Sequence, residues 1–121
     1  MIDALHQAHY AFTHRDTMDR QARVDAAVEL GEWGVWSNRH VATLTGLRPA
    51  FVNELTGKRD KSGGNMNPER LGDVIEVAEA RARGEEVKDR VVALLGEGFS
   101  SGMLARLTGV PQSTIARWGA A

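Results

Sequence analysis

A short pattern that occurs twice constrains the fold of this chain more than any other feature of its sequence. An alanine is followed four positions later by a glycine, and six positions after the glycine comes a branched aliphatic residue. The two copies are Ala42, Gly46 and Val52, and Ala105, Gly109 and Ile115. They lie 63 positions apart, and Leu-Thr precedes the glycine in both. Such a repeat indicates that one supersecondary unit is built twice.

The spacing within each copy suits two short helices joined by a tight turn. The alanine lets the two helices approach closely, and the glycine tolerates the positive φ that the turn needs. The aliphatic residue faces inward on the second helix, which leaves the opposite face free to enter a DNA major groove. The pattern therefore predicts two helix-turn-helix units. The alternative is a pair of helical hairpins that only build a core.

Helical periodicity dominates the rest of the chain, and no segment alternates as a strand does. We therefore predict an all-α fold with two helix-turn-helix units joined by a connecting helix, and no sheet. The predicted divisions are residues 1–66 for the N-terminal helices with the first helix-turn-helix and a basic loop, 67–84 for the connecting helix, and 85–121 for the C-terminal helix-turn-helix.

Polar residues with N-capping propensity mark where several helices begin. We expect Asp16 or Thr17 to cap the second helix, because a short oxygen-bearing side chain can accept a hydrogen bond from the first turn. Ser37 is expected to cap the first helix of the first copy. Ser100 or Ser101 is expected to do the same in the second copy.

The charges are segregated along the chain. The net charge of −1 argues by itself against nucleic-acid binding. However, residues 1–33 and 71–100 each carry −3, whereas residues 34–70 carry +3 and residues 101–121 carry +2. The local field near a phosphate matters more than the total, so the two positive segments suit DNA. Chance segregation of solvated faces is the alternative.

At the level of these motifs the chain resembles known phage regulators. Residues 103–118, MLARLTGVPQSTIARW, resemble the helix-turn-helix of phage repressors and of resolvase-type recombinases. Residues 52–59, VNELTGKR, followed by NPERL at 67–71, are similar to the repressor pattern of recognition helix, basic loop and following helix. With its Ala- and Arg-rich composition, the chain resembles a small actinobacteriophage immunity repressor or related phage regulator over residues 35–119.

Base-reading residues are expected on the exposed face near the start of each second helix. Glutamine pairs with adenine, arginine with guanine, and serine or threonine with a phosphate or either base. The expected base readers are Gln112, Ser113, Thr114 and Arg117 in the second copy, and Arg48 and Asn53 in the first. In the first copy, Pro49 and Ala50 occupy positions where polar readers are expected, and Glu54 would repel phosphate.

Contacts with the DNA backbone are expected from helix N-termini and from basic residues. The expected backbone contacts are Ser37, Asn38, Arg39, His40, Lys58, Arg59, Lys61, Ser101 and Arg106. Three of them belong to a glycine-rich basic loop that can follow a phosphate strand or enter a minor groove. A solvated loop without a DNA contact is the alternative.

Several classes of protein are disfavoured by what the sequence lacks. Without cysteine it has no disulfide, thiolate zinc site or cysteine nucleophile. It shows no secretory signal, no apolar run of membrane-spanning length and no enzyme motif. We expect a cytoplasmic, nucleoid-associated protein that is not an enzyme and has no cofactor or metal. His9 is expected to be a half-buried packing residue, and Trp33 and Trp36 are expected to pack in the core.

The expected partner is double-stranded DNA at an operator. We expect the protein to bind it either as a homodimer on two half-sites or as a monomer on an asymmetric site. Two other functions stay open. One is a recombination directionality factor or a small terminase subunit, and the other is a helical protein-interaction module without DNA binding. The sequence indicates neither the operator nor the role of residues 1–33.

Overall fold

The computed structural model describes residues 2–57 and 64–120. These residues form α-helices and one short 3-10 helix and contain no strand, so the predicted all-α class is confirmed. The α-helices are α1 (Ile2–His14), α2 (Arg20–Glu32), α3 (Asn38–Thr45), α4 (Pro49–Thr56), α5 (Leu71–Ala82), α6 (Lys88–Gly96), α7 (Ser101–Thr108) and α8 (Gln112–Ala120). The 3-10 helix is Pro68–Arg70.

The described residues divide into two compact units. The N-terminal unit comprises residues 6–57, and the C-terminal unit comprises residues 2–5 and 64–120. The expected connecting helix, residues 67–84, corresponds to the 3-10 helix and α5, and both belong to the C-terminal unit. There α5 packs against α6 and α7 and buries one apolar face, so it is part of a core.

In the N-terminal unit, α2, α3 and α4 pack against one another. Leu30, Leu44 and Val52, one from each helix, are fully buried where the three helices meet. Burial of apolar side chains of this size stabilises the fold by roughly 1.5–3 kcal/mol each. The inward position of Val52 is the one that the repeat predicts.

The start of α2 differs from the expectation. Asp19 caps the helix, its side chain accepting a hydrogen bond from the Ala22 backbone N–H at 2.8 Å. The expectation of Asp16 or Thr17 was wrong, because the chain is still closing α1 at that point. The backbone N–H and the hydroxyl of Thr17 both donate to the carbonyl oxygen of His14.

In the C-terminal unit, α7 packs against α5 and α8, and α6 packs against α5 and α8. Leu71, Leu104 and Ile115 are fully buried, again one from each of three helices. Ile115 occupies the place that Val52 has in the first copy. In both copies of the repeat, the residue six positions after the turn glycine is therefore buried in a core.

The two helix pairs, α3/α4 and α7/α8, begin with the same cap. The Ser37 hydroxyl oxygen accepts from the His40 N–H, and the Ser100 hydroxyl oxygen accepts from the Met103 N–H, both at 3.1 Å. The expected Ser37 cap is confirmed. In the second copy, where Ser100 or Ser101 was expected, the cap is Ser100. Since Ser37 and Ser100 are also 63 positions apart, the repeat begins earlier than Ala42.

The two helix pairs also turn in the same way. Gly46 and Gly109 are the C-caps of α3 and α7, with φ of 74° and 81°. In both pairs the threonine before the glycine donates its hydroxyl to the carbonyl oxygen four residues earlier, Thr45 to Val41 at 2.7 Å and Thr108 to Leu104 at 2.6 Å. The left-handed glycine ends the first helix and sets the direction in which the second begins.

An arginine from a third helix lies over each turn glycine. A Cβ built on Gly46 would lie 3.4 Å from Nη1 of Arg23, and one built on Gly109 would lie 3.3 Å from Nη1 of Arg81. A helix C-terminus carries partial negative charge, so a guanidinium is favourable there. Glycine is thus favoured mainly by φ, because the end of each arginine side chain needs to shift only slightly to accommodate a Cβ.

The two tryptophans behave differently from one another. Trp36 is buried as expected, but Trp33 is 44 % exposed, so its placement in the core was wrong. The Trp33 indole N–H donates to the side-chain oxygen of Gln7 and thereby pairs α1 with the end of α2 at the surface.

The turn glycine gives the first testable prediction. We expect Gly109→Ala to lower the free energy of unfolding by about 1–2 kcal/mol, because alanine is strained at this φ and its Cβ would crowd Arg81. Gly96→Ala is the matched control: it lies in α6 with open space around a Cβ and should be neutral or stabilising by up to about 1 kcal/mol. Urea unfolding measures both. Equal stability of the two variants would contradict the role of Gly109.

Candidate nucleic-acid interface

The exposed face of α8 carries most of the expected base readers. Ser113 and Arg117 are exposed on the side of α8 opposite the fully buried Ile115. Thr114 is partly exposed, and Gln112 is exposed in the first turn of the helix. The side of α8 that packs against the rest of the C-terminal unit is thus apolar, and its outward side is polar. Amide, hydroxyl and guanidinium groups together can both donate to and accept from base edges.

The N-terminus of α7 lies beside the first residue of α8. A Cβ built on Gly102 would lie 3.5 Å from Nε2 of Gln112, so the Gln112 amide rests over the first turn of α7. Ser101 is half-buried in the same turn, and Ser100 beneath it holds the cap. The structure therefore brings Ser101 and Gln112 into one polar surface, which we call the α7/α8 surface.

Residues 64–67 are held against the same end of α7. The Ser100 N–H donates to the carbonyl oxygen of Asn65 at 3.1 Å, and the Asn67 side-chain amide donates to the carbonyl oxygen of Glu97 at 2.8 Å. These two bonds fix the segment that enters the C-terminal unit. The expected backbone contacts Lys58, Arg59 and Lys61 come before it in the chain and lie outside the described residues.

Arg106 lies at the other end of α7. It is exposed in the last turn and lines a cavity of about 500 Å³ together with Arg81 and Asp3. The structure therefore does not group it with Ser101 and Gln112. A backbone contact from Arg106 would be made at a separate point on the unit.

Two of the expected backbone contacts in the N-terminal pair form a capping box. The Ser37 hydroxyl bonds to the backbone N–H of His40, and the ring Nδ1 of His40 accepts from the backbone N–H of Ser37 at 3.4 Å. Both residues are buried. Since neither side chain reaches a phosphate from inside the cap, we remove both from the interface and assign them to the start of α3.

Asn38 and Asn53 join the two helices of the N-terminal pair. The Asn38 amide donates to the side-chain oxygen of Asn53 at 2.8 Å, and the Asn38 oxygen accepts from the Thr56 hydroxyl at 3.4 Å. Asn38 is only 9 % exposed. The nearly buried Asn38 side chain is therefore used in a polar bridge between α3 and α4, and this takes it out of the expected phosphate contacts. Asn53 contributes its side-chain oxygen to the bridge but is exposed, so it stays an expected base reader.

The N-terminal pair presents few groups that can read bases. Arg39 and Arg48 are exposed, but so are Pro49 and Ala50 at the start of α4 and Glu54 further along it. Pro49 and Ala50 offer no side-chain hydrogen bond, and the Glu54 carboxylate repels phosphate. Of the two helix pairs, the C-terminal one carries the richer reading chemistry.

Sequence reasoning missed two arginines that the fold brings to the N-terminal pair. Arg20 and Arg23 of α2 line a cavity with Arg48, although both belong to the acidic first 33 residues. The net charge of residues 1–33 is negative, so it gave no indication of these two arginines. Their i,i+3 spacing, which places them on one face of α2, was the signal that could have found them.

Ion pairs in the described residues are concentrated in the C-terminal unit. Arg70 pairs with Asp73 and Glu97, and Arg83 pairs with Glu85. The Glu85 hydrogen bond raises the pKa of Arg83, and the same bond lowers the pKa of the Glu85 carboxyl. Because Glu85 is more acidic in the folded state, its contribution is present near neutral pH and is lost as the pH falls through its folded pKa. Both groups are exposed, so this contribution is small.

Comparison with protein-family models, with curated proteins and with solved structures finds no match to this chain. In residues 2–57 and 64–120 there is no group of three or more His, Asp or Glu side chains arranged to hold a metal ion. No helix within those ranges is long and apolar enough to cross a membrane.

The Asn38 bridge gives the second prediction. We expect Asn38→Ala to lower the free energy of unfolding by about 1–2 kcal/mol, because it removes the hydrogen bonds that join α3 to α4. Asn65→Ala is the control, because Asn65 is exposed and bonds to Ser100 through its backbone oxygen, which the substitution keeps. It should change the free energy of unfolding by less than about 0.5 kcal/mol. Chemical denaturation of both variants checks this. An unchanged stability for Asn38→Ala would return that side chain to the candidate interface.

Proposed function

We propose that this protein binds double-stranded DNA sequence-specifically, with both helix pairs acting as helix-turn-helix units, and that it is a transcriptional repressor of the phage immunity type. The observation that carries the proposal is the repeated helix pair whose second copy presents the polar α7/α8 surface. DNA is the partner that this combination suits best, since an exposed polar helix of this size fits a major groove about 12 Å wide.

The first support is the position of the readers relative to the end of a helix. Gln112 and Ser113 lie at the start of α8, and residues at the start of a recognition helix contact base edges in helix-turn-helix proteins. Ser101, in the first turn of α7, stands where a helix N-terminus favours a phosphate. Base contact and backbone contact are then made by adjacent residues of one surface.

The second support is the difference between the two pairs. The C-terminal pair has amide and hydroxyl groups that discriminate between bases, whereas the N-terminal pair has arginines beside an apolar helix start. Phosphate contacts position a protein on DNA and base contacts specify the sequence. We infer that the N-terminal pair contributes mainly affinity and the C-terminal pair mainly specificity.

The repressor role rests on the resemblance of residues 35–119 to phage regulators. Two unlike pairs in one chain favour an asymmetric site bound by a monomer, since a symmetric dimer would place two identical reading surfaces on a palindrome. Footprinting decides between these arrangements. Protection of one unsymmetrical site by one chain supports the monomer, and protection of a palindrome by two chains supports the dimer.

The reading surface gives the third prediction. A bound sequence is first selected from random duplexes, and the affinity for it and for single-base variants is then measured. Gln112→Ala and Arg117→Ala should each relax the preference at one position of the site, at a cost of about 1–3 kcal/mol against the selected base. Gln21→Ala is the control, because Gln21 is also exposed but hydrogen-bonds to Asp25 on α2.

Three outcomes separate the possibilities. Loss of preference in the α8 variants but not in Gln21→Ala supports the proposed reading surface. Unchanged preference in the α8 variants means that another surface reads the DNA. If the wild-type protein binds no duplex even at low salt, the proposal is wrong and the helix pairs serve only to build a core.

A further inference from the structure

Three arginines line one cavity of the N-terminal unit. The cavity has a volume of about 600 Å³ and is bounded by Arg20 and Arg23 of α2, by the turn after α3, and by Arg48 and Phe51 at the start of α4. It is lined by no acidic residue of the described ranges. Three guanidinium groups in the lining and no carboxylate among them make the cavity attractive to an anion.

None of these arginines is neutralised within the described residues. Arg20, Arg23 and Arg48 form no ion pair there, in contrast to Arg70 and Arg83 in the C-terminal unit. The Nε–H of Arg23 is buried and has no hydrogen-bond acceptor. A buried donor without an acceptor is unfavourable, so an anion that accepted from it would stabilise the site.

The Arg20 guanidinium is held in place by an aromatic ring. It lies over the Phe51 ring, 4.7 Å from the ring centroid. A cation on an aromatic face is oriented by the ring, while its N–H groups stay available at the edge of the guanidinium plane. Arg20 is therefore positioned, and less entropy is lost when it binds a ligand.

The start of α4 supplies a further attraction for an anion. Arg48 is the N-cap residue and, like the N-cap residues of α5 and α6, makes no side-chain capping bond. Pro49 has no N–H, and the first intrahelical bond in α4 is donated by Val52. The N–H groups of the two residues in between have no helical partner, and the helix dipole adds positive charge beside them.

The equivalent place in the C-terminal unit has the opposite character. Arg81 lies over Gly109 as Arg23 lies over Gly46, but Arg81 lines one cavity with Asp3 and another with Glu85 and Glu86. Covering the turn glycine is thus a shared structural role of the two arginines. Arg106 adds a second cation in the C-terminal unit, but the combination of three arginines with no acid is found in the N-terminal cavity.

We propose that the cavity formed by Arg20, Arg23 and Arg48 binds a phosphate group. Three guanidinium groups match the oxygens of a phosphate, which arginine contacts in a bidentate manner. On duplex DNA the ligand is a backbone phosphate, and Arg48 then positions the protein instead of reading a base. This part rests on the proposed function, but the phosphate chemistry is shared with a free phosphorylated ligand.

The first arm of the test uses the selected duplex. For a protein that neutralises phosphates, log affinity falls linearly with log salt concentration, by about 0.9 for each phosphate. Arg48→Gln should reduce this slope by about 1 and weaken all sequences equally. Arg15→Gln is the matched control, because that guanidinium lies over Phe12 and donates to its carbonyl oxygen outside the cavity.

The second arm uses no DNA. Thermal unfolding is measured with and without millimolar pyrophosphate at constant ionic strength. A ligand that binds only the folded state raises the Tm, and we expect a rise of a few degrees in the wild-type protein and in Arg15→Gln. The rise should be lost in the Arg20→Gln/Arg48→Gln double variant. Comparing the melting curves without ligand shows whether the double variant is folded.

The two arms together distinguish the source of the phosphate and separate this proposal from the proposed function. A smaller salt slope in Arg48→Gln supports a backbone phosphate, whereas a Tm rise that needs the arginines, combined with an unchanged slope, supports a free phosphorylated ligand. If both the slope and the Tm shift are the same in the variants as in Arg15→Gln, the phosphate site is wrong, although DNA binding can still stand. If the wild type binds no duplex, the proposed function fails and the Tm arm alone decides the cavity.

Discussion

Each helix pair turns at a glycine with positive φ, and the position of every outward-facing group on the second helix follows from that turn. A serine cap fixes where the first helix begins, and a threonine hydroxyl closes its last turn against its own backbone. An arginine from a third helix then covers the glycine. With both ends of the first helix fixed, the inward aliphatic residue of the second helix determines which face remains exposed.

The repeat allowed much of this to be predicted from the sequence. Helix class, the turn glycines and the buried Val52 and Ile115 follow from local spacing, because capping and helical periodicity act within a few residues. The burial of Asn38 was not predictable in that way. Its partner Asn53 lies on another helix, and a capping-type asparagine looks the same whether it faces solvent or a neighbouring helix. Arg20 and Arg23 were missed because the net charge of a segment does not show which side of a helix carries the basic residues.

The two pairs share a backbone plan and differ in surface chemistry. In the C-terminal pair the start of the second helix carries amide and hydroxyl groups beside a capped helix. In the N-terminal pair the same place carries proline and alanine, with uncompensated arginines around it. The proposed division between sequence reading and phosphate binding accounts for both surfaces in one chain.

The most direct test of this account is a map of backbone amide chemical shifts as the wild-type protein is titrated with the selected duplex at low salt. The account predicts that the largest changes fall in the first turns of α7 and α8 and around the start of α4, while the exposed acidic residues of α5 and α6 change little. Changes confined to α5 and α6, or no change with any duplex, would contradict it.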